Sequence, residues 1–339
     1  MPTVLIVPGV LFHQPGPHVD LLRAAGFEIR YPRRPEMSTE AETIEALDGI
    51  DATIAGSEPY NERVLAAAPR LRVVSRAGVG VDRIDLDAVT RHGVVVAITP
   101  AGNHEAVAEH TMAMLLSLAR SLVSQNRSVR QGQWSRVPLA PLRGKTLGLV
   151  GLGRIGRSVA VRAAAFRMNL LACEQAPDVE FSRRHAIELV DLDALLARAD
   201  FVSLHVPLTD ETRGLVNRAT LARMKPGSYL VNTARGGLVV ESDLLAALES
   251  GHLAGAGLDV FAVEPTPADN PLLRLENVLV TPHMGGVDTQ SNEDMAIQSA
   301  GNIVDLVTGR WPDGCVVNAA VKQVWSQRRR LVALAEVMS

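Results

Sequence analysis

The sequence predicts an α/β fold of two domains, each built on a parallel sheet, with one domain inserted into the other. Three observations carry this. Apolar strand-like runs alternate with helical stretches through the first hundred residues, a second alternating series begins at Lys145, and the chain turns helical again from about Gln290. Strands and helices in turn require crossover connections, and crossovers make strands parallel. The last segment is expected to return to the first domain, so the first domain spans 1–100 and 288–339 and the second 101–287.

In order, the first series reads TVLIVP, HVDLLRAAGF, ATIAGS, NERVLAAAP, LRVVSRAG, DLDAVTRHG and VVVAIT. A longer helix, EAVAEHTMAMLLSLAR, covers Glu105 to Arg120 and is too apolar for a surface linker. After it, QGQWSRVPLAPLRGK is polar and broken by prolines, which suits a domain junction. The second series runs TLGLVG, RSVAVRAAAF, NLLACE, DLDALLARA, DFVSLHVPL, RATLARM, SYLVNTA, ESDLLAALES, AGAGLDV and NVLVTPH. AIQSAGNIVDLVTG follows as helix, and the tail WSQRRRLVALAEVMS reads as one more amphipathic helix with a basic start.

Composition excludes several classes. The 34 basic and 37 acidic side chains give a formal charge of −3, which offers no electrostatic basis for holding nucleic acid. No apolar run reaches the ~18–20 residues that span a bilayer. The start, MPTVLIVPGV, has neither a basic n-region nor a cleavage-like site and reads as mature protein. Cys173 and Cys315 are too few for a disulfide framework and lack metal-type spacing, so no metal is expected. A soluble, reducing, cytoplasmic setting is the expectation.

The strand TLGLV runs into Gly151-Leu152-Gly153-Arg154-Ile155-Gly156 and then into a helix. This is G-x-G-x-x-G in the strand–turn–helix context that gives the pattern meaning. The first glycine makes the turn, the second admits a pyrophosphate, and the third packs helix on strand, with the helix N-terminus facing the phosphates. The next strand, NLLACE, ends at Glu174, an acceptor for the adenosine ribose hydroxyls whose charge repels a 2′-phosphate. NAD is therefore expected over NADP, although Arg183 and Arg184 lie downstream.

Three further strands end in polar residues: SYLVNTA at Arg235, AGAGLDV shortly before Glu264, and NVLVTP at His283. Taken singly, each reads more readily as structural: Arg235 as a solvated loop base, Glu264 as part of a surface turn, His283 as a strand-end histidine satisfied by backbone. Ligands of open α/β sheets bind at the carboxyl ends of strands, so topology brings the three together. An imidazole takes and returns a proton near neutral pH, a carboxylate fixes its tautomer, and a guanidinium matches a substrate carboxylate and its neighbouring keto oxygen. Those types fit oxidation of a 2-hydroxy acid. The frame TPHMGG holds the histidine between Pro282 and the glycine pair Gly285-Gly286, where proline restrains φ and glycine permits unusual turns.

With these residues in view, the chain resembles the D-isomer-specific 2-hydroxyacid dehydrogenase family over roughly residues 40 to 320. The resemblance rests on GLGRIGRSVA, LHVPLTDETRGLVN, MKPGSYLVNTARGGLV, GAGLDVFAVEP and TPHMGG, in family order and spacing. It implies a Rossmann nucleotide-binding domain inserted into a flavodoxin-like substrate domain, with Arg235, Glu264 and His283 catalytic. It places Arg154, Ile155, Thr111, Val206, Pro207, Thr233, Ala234, Asp259, Gly285 and Gly286 around NAD. The first domain, through SRAGVGVDRIDLDAV and ITPAGNHEAVAEHT, is similar to the 3-phosphoglycerate dehydrogenase branch, which implies a substrate site at Arg76, Ala77, Gly78 and Asn103. Arg76 alone reads equally as a surface base.

Two departures stand out. Glu174 is flanked by Cys173 and Gln175 where the family commonly has Tyr and Pro, and no regulatory C-terminal extension follows, so feedback inhibition by serine is not expected. The resemblance leaves glyoxylate or hydroxypyruvate reduction as the alternative activity, and a nucleotide-sensing corepressor as the alternative of another class. It also implies a homodimer, formed through the nucleotide domain and the helix Glu105–Arg120.

Overall fold

The computed structural model describes residues 1–34 and 39–327, in two compact units: Met1–Asn103 with the segment from Val287 onward, and His104–Gly286. The first unit holds five parallel strands, β1 (Thr3–Ile6), β2 (Glu28–Arg30), β3 (Ala52–Ala55), β4 (Val73–Arg76) and β5 (Val95–Ala97), in the order β2-β1-β3-β4-β5. Their central residues, including Ile6, Ile54, Val73, Val74 and Val96, are fully buried because helices cover both faces. Pro17–Ala24 and Thr289–Val307 cover one face; Glu62–Ala67 and Leu86–Arg91 cover the other. Beyond the helix Thr289–Val307, the returning chain pairs with β5: Val316 bridges Ala97 antiparallel, and the amides of Ile98 and Val317 donate to the Cys315 and Val96 carbonyls.

The second unit holds seven parallel strands: β6 (Thr146–Val150), β7 (Asn169–Cys173), β8 (Ile187–Leu189), β9 (Phe201–Leu204), β10 (Ser228–Asn232), β11 (Leu253–Leu258) and β12 (Val278–Val280). Their order is β12-β11-β10-β9-β6-β7-β8, so the direction of winding reverses between β6 and β9. Such a switch point opens a crevice at the carboxyl ends of the two strands, where ligands of these sheets bind. The glycine turn of residues 151–156 leaves β6 at this point, and Val206 and Pro207 follow β9 beside it.

Helix His104–Ala119 packs on one face of this sheet with helix Arg154–Ala165, burying Ala108, Met112, Met114, Leu115 and Ala119. Its apolar side is therefore packed within its own unit, the other reading that the sequence left open for this helix. The exposed apolar side chains come next: Leu122, Val123 and Val129 on helix Leu122–Arg130, which buries nothing, then Trp134 and Val137. The proline-broken stretch 131–145 lies inside the second unit and is not a junction; the chain passes between units at 103–104 and 286–287.

Two strands have no counterpart in the sequence reading. β2 and β8 are three residues long, lie at sheet edges and are largely exposed, so neither leaves an apolar run. Most of the expected tail helix falls outside the described residues. Among the described residues, no helix is long and apolar enough to cross a membrane, and no cluster of His, Cys, Asp and Glu could hold a metal.

Candidate active site

At the end of β6, Gly151 adopts φ +99°, a region closed to most side chains, and a Cβ there would meet the His205 carbonyl oxygen at 2.7 Å. Gly156 packs so closely on the Gly151 carbonyl that any side chain would overlap it. At Gly153 the space a Cβ would fill is open. Helices beginning at Asp85, Asp178, Asp191 and Asp288 have their first amides capped by those carboxylates, whereas helix Arg154–Ala165 begins on Gly153 with no side-chain cap. Its leading N–H groups, with Arg154 and Ile155 first, are left for an anion. Two glycines with different steric reasons, an open approach at Gly153 and an uncapped helix start fit a dinucleotide pyrophosphate.

Glu174, at the end of β7, accepts from the Leu152 amide at 2.7 Å through one oxygen and from Ala176 at 3.2 Å through the other. The Leu152 N–H is the largest influence holding its carboxyl below the ordinary range, so it is ionised, with lone pairs left for a diol. Arg184, a basic residue that could have favoured a 2′-phosphate, is paired with Glu180 at 2.7 Å. His205, just after β9, accepts or donates at 2.9 Å with Ser203, and burial lowers it to about 4, so the ring beneath the glycine turn is neutral at physiological pH.

The predicted trio comes from three neighbouring strands. Arg235 follows β10 in a turn clamped by Asn232, whose side chain accepts from the Ala234 amide and donates to the Arg235 carbonyl, both within 3.0 Å. Gly236 then packs against the Phe261 carbonyl so tightly that a Cβ would overlap it, which is what lets the β10 turn lie against the loop after β11. That loop carries Glu264. Its Oε1 accepts from the Phe261 amide at 2.9 Å, and its Oε2 lies 2.8 Å from His283 Nδ1. Burial pushes the Glu264 carboxyl up, but the hydrogen bond and charge of His283, the Phe261 amide and the charge of Arg235 together hold it below its ordinary value. An ionised Glu264 only accepts, so Nδ1 carries a proton, and whenever the ring holds no second proton Nε2 presents a free lone pair. His283 is half exposed, and Arg235 donates to the Ala234 carbonyl at 2.6 Å.

The TPHMGG frame is built differently from the expectation. Neither Gly285 nor Gly286 has positive φ; His283 itself does, at +55°, a conformation uncommon for a histidine. Gly285 is required by proximity: a Cβ would stand 2.8 Å from Asp259 Oδ2. Asp259, 1% exposed at the end of β11, accepts from the amides of Met284 and Gly285 and from the Thr281 hydroxyl, while its carbonyl accepts from the His283 amide at 2.8 Å. Burial pushes its carboxyl up, but these donors and the neighbouring His110 outweigh that and keep it ionised.

Thr233 and Ala234 line the turn after β10, and Thr233 receives a contact from Thr111 at 2.9 Å. Thr111 is fully buried and its hydroxyl also donates to Val107, so it stands behind Thr233 instead of at the surface. In the first unit, Arg76, Ala77 and Gly78 form the turn after β4, with Gly78 at φ +139° and Arg76 donating to the Ala77 carbonyl; Asn103 ends that unit's first segment. Asn232, Thr281 and His110 were not read from the sequence as site residues. Each is an ordinary polar side chain whose part is set by hydrogen bonds, and only the spacing of Asn232 before the arginine turn hinted at it.

Comparison with known proteins agrees with this geometry. Residues 112–285 match the family model described as D-isomer specific 2-hydroxyacid dehydrogenase, NAD binding domain. The chain is 40% identical over 320 residues to the D-3-phosphoglycerate dehydrogenase of Mycobacterium tuberculosis, covering 92% of this chain but 60% of that one, so it spans about three fifths of the length of such curated relatives. It is 40% identical to the glyoxylate reductase of Korarchaeum cryptofilum, covering 82% of this chain and 86% of that one. The crystal structure of the TT0316 protein from Thermus thermophilus superposes with a TM-score of 0.84 at 38% identity, over 93% of this chain and 99% of the other. A strand–glycine turn–helix that fits a pyrophosphate, a carboxylate-bound histidine and these similarities lead to one assignment: the chain belongs to the D-isomer specific 2-hydroxyacid dehydrogenase family and carries its NAD-binding domain.

Proposed function

We propose that the protein interconverts a D-2-hydroxy acid and its 2-keto acid, with 3-phosphoglycerate and 3-phosphohydroxypyruvate as the pair. The observation that carries the reaction type is the 2.8 Å contact of Glu264 with His283 Nδ1, which leaves Nε2 to exchange a proton with substrate oxygen. NAD, when bound, supplies the two-electron exchange at the substrate's C2 carbon. His283 takes the hydroxyl proton in oxidation and returns it to the keto oxygen in reduction, while Glu264 stabilises the imidazolium between. Arg235 offers paired donors to the substrate's carboxylate and keto oxygen. The turn Arg76–Gly78 and Asn103 take the rest of the acid.

The substrate choice is supported by the similarity to D-3-phosphoglycerate dehydrogenases over 92% of this chain. A second reading, glyoxylate reduction, is supported by the relative of that name, whose length this chain matches better. Steady-state rates with NADH and a panel of 2-keto acids separate the two: kcat/KM highest for phosphohydroxypyruvate supports the first, highest for glyoxylate overturns it, and no turnover of any 2-keto acid overturns both.

Within the same proposal, Arg154, Ile155 and the glycine turn hold the pyrophosphate, Glu174 the adenosine ribose, and Val206, Pro207, Thr233, Ala234, Asp259 and the Gly285-Gly286 backbone the nicotinamide end. Glu174→Ala is expected to lower kcat/KM for NAD ~10- to 100-fold, the loss of one or two hydrogen bonds to a charged group, with NADP much less affected. An unaltered NAD-to-NADP ratio would count against the ribose role.

We further propose a cytoplasmic homodimer whose interface includes the exposed apolar side chains of residues 122–137, with Trp134 75% exposed in the single chain. Sedimentation velocity is expected to give the dimer mass for the native chain and the monomer mass for Val123→Glu with Trp134→Ala. A native monomer would remove the proposal.

A further inference from the structure

Resting on His283 as the proton-exchanging group, we propose that His110 is a positioning residue that sets the conformation of His283 through Thr281 and Asp259. His110 lies on helix His104–Ala119, far from His283 in sequence and on a different element. Its Nε2 is 3.0 Å from Thr281 Oγ1 and 3.5 Å from Asp259 Oδ1. The direction of the chain of hydrogen bonds follows from its end. Asp259 is ionised and accepts only, so the Thr281 hydroxyl, 2.5 Å from Oδ1, must donate to it. Thr281 then has only lone pairs to offer, and His110 donates from a protonated Nε2.

Asp259 is the point on which the His283 turn is pinned. It takes the Met284 amide at 2.8 Å, the Gly285 amide at 2.7 Å and, through its carbonyl, the His283 amide at 2.8 Å. These bonds bracket a residue at φ +55°, a conformation that persists only when its surroundings fix it. His110 engages the Thr281 oxygen while Thr281 donates to Asp259, and a linked hydrogen-bond network holds one geometry better than its members do separately. The ring also packs against the turn: a Cβ on Gly285 would lie 3.7 Å from His110 Cδ2, an ordinary van der Waals distance. His110 touches none of the proposed reacting atoms. Its effect is on the angle at which Nε2 of His283 is presented.

The test is kinetic, on the full chain with NADH and the best 2-keto acid, with thermal melting to confirm folding. His110→Ala is expected to lower kcat ~10- to 100-fold, the cost of a small misplacement of a catalytic group, with KM for NADH changed less than threefold. His110→Gln, which keeps a side-chain N–H near the same place, is expected to recover most of kcat. Thr281→Val is expected to cause a similar loss, and the double variant with His110→Ala to lose little more, because both break one chain. If His283→Ala abolishes turnover while His110→Ala leaves kcat unchanged, the positioning role is wrong and the proton role of His283 stands. If His283→Ala keeps native turnover, the proton role itself is wrong. A His110→Ala loss that Gln does not rescue, or that adds fully to Thr281→Val, also overturns the proposal.

Discussion

Replacing His283 by alanine is expected to lower kcat about 10²- to 10⁴-fold, the range for a lost general acid–base group, with NADH affinity largely kept. The split follows from what the side chain touches. Its Nδ1 meets Glu264 and its amide meets the Asp259 carbonyl, so the ring contributes to proton exchange while the backbone continues to hold the turn. Alanine at φ +55° is strained, but it keeps the amide that Asp259 binds. Stopped-flow titration with NADH and steady-state turnover measured on one preparation separate the two effects. Native turnover in the variant would remove His283 from the chemistry; lost NADH binding would mean that the ring shapes the cofactor site instead.

The second large effect is expected at Gly236. The Cβ of Gly236→Ala would overlap the Phe261 carbonyl, which is backbone and cannot rotate away, so the turn after β10 and the loop after β11 must separate. Forced overpacking of this kind costs about 1–3 kcal/mol and more where backbone must move, so a loss of roughly 3 kcal/mol or above is expected on chemical unfolding. Activity should fall further than stability alone dictates, because the two segments carry Arg235 and Glu264. Gly153→Ala is the control: open space surrounds the missing Cβ, so the fold is expected to be unaffected and only NADH binding weakened. Equal melting temperatures for Gly236→Ala and the native chain would show that the close approach is not maintained in solution.

Much of the site was legible because its chemistry sits at strand ends, and strand ends are legible. TLGLV before the glycine turn and SYLVN before Arg235 announce buried parallel strands through their sequence alone, and the apolar run before His283 announces a strand that lies half-exposed at the sheet edge. What the sequence reading lacked were features created by packing. β2 and β8 are strands because a neighbour offers hydrogen bonds, not because their residues are apolar. The long helix His104–Ala119 is apolar enough to suit either a partner or its own sheet, and only its packing decides that its buried side belongs to the sheet. The glycines of TPHMGG suggested a turn made by glycine, whereas the unusual φ belongs to the histidine and Gly285 is small because a carboxylate stands against it. No pattern in one dimension distinguishes those two reasons for a glycine.

The pairing of Val316 with Ala97 has a consequence for synthesis. The 183 or so residues between the two segments of the first unit form a self-contained sheet with its own core, and all of it emerges from a ribosome before the partner of β5 does. The unit that begins the chain is thus the last to be completed. Its half-finished edge at β5 stays open to solvent, and to neighbouring nascent chains, for the whole time that the nucleotide-binding sheet is being made.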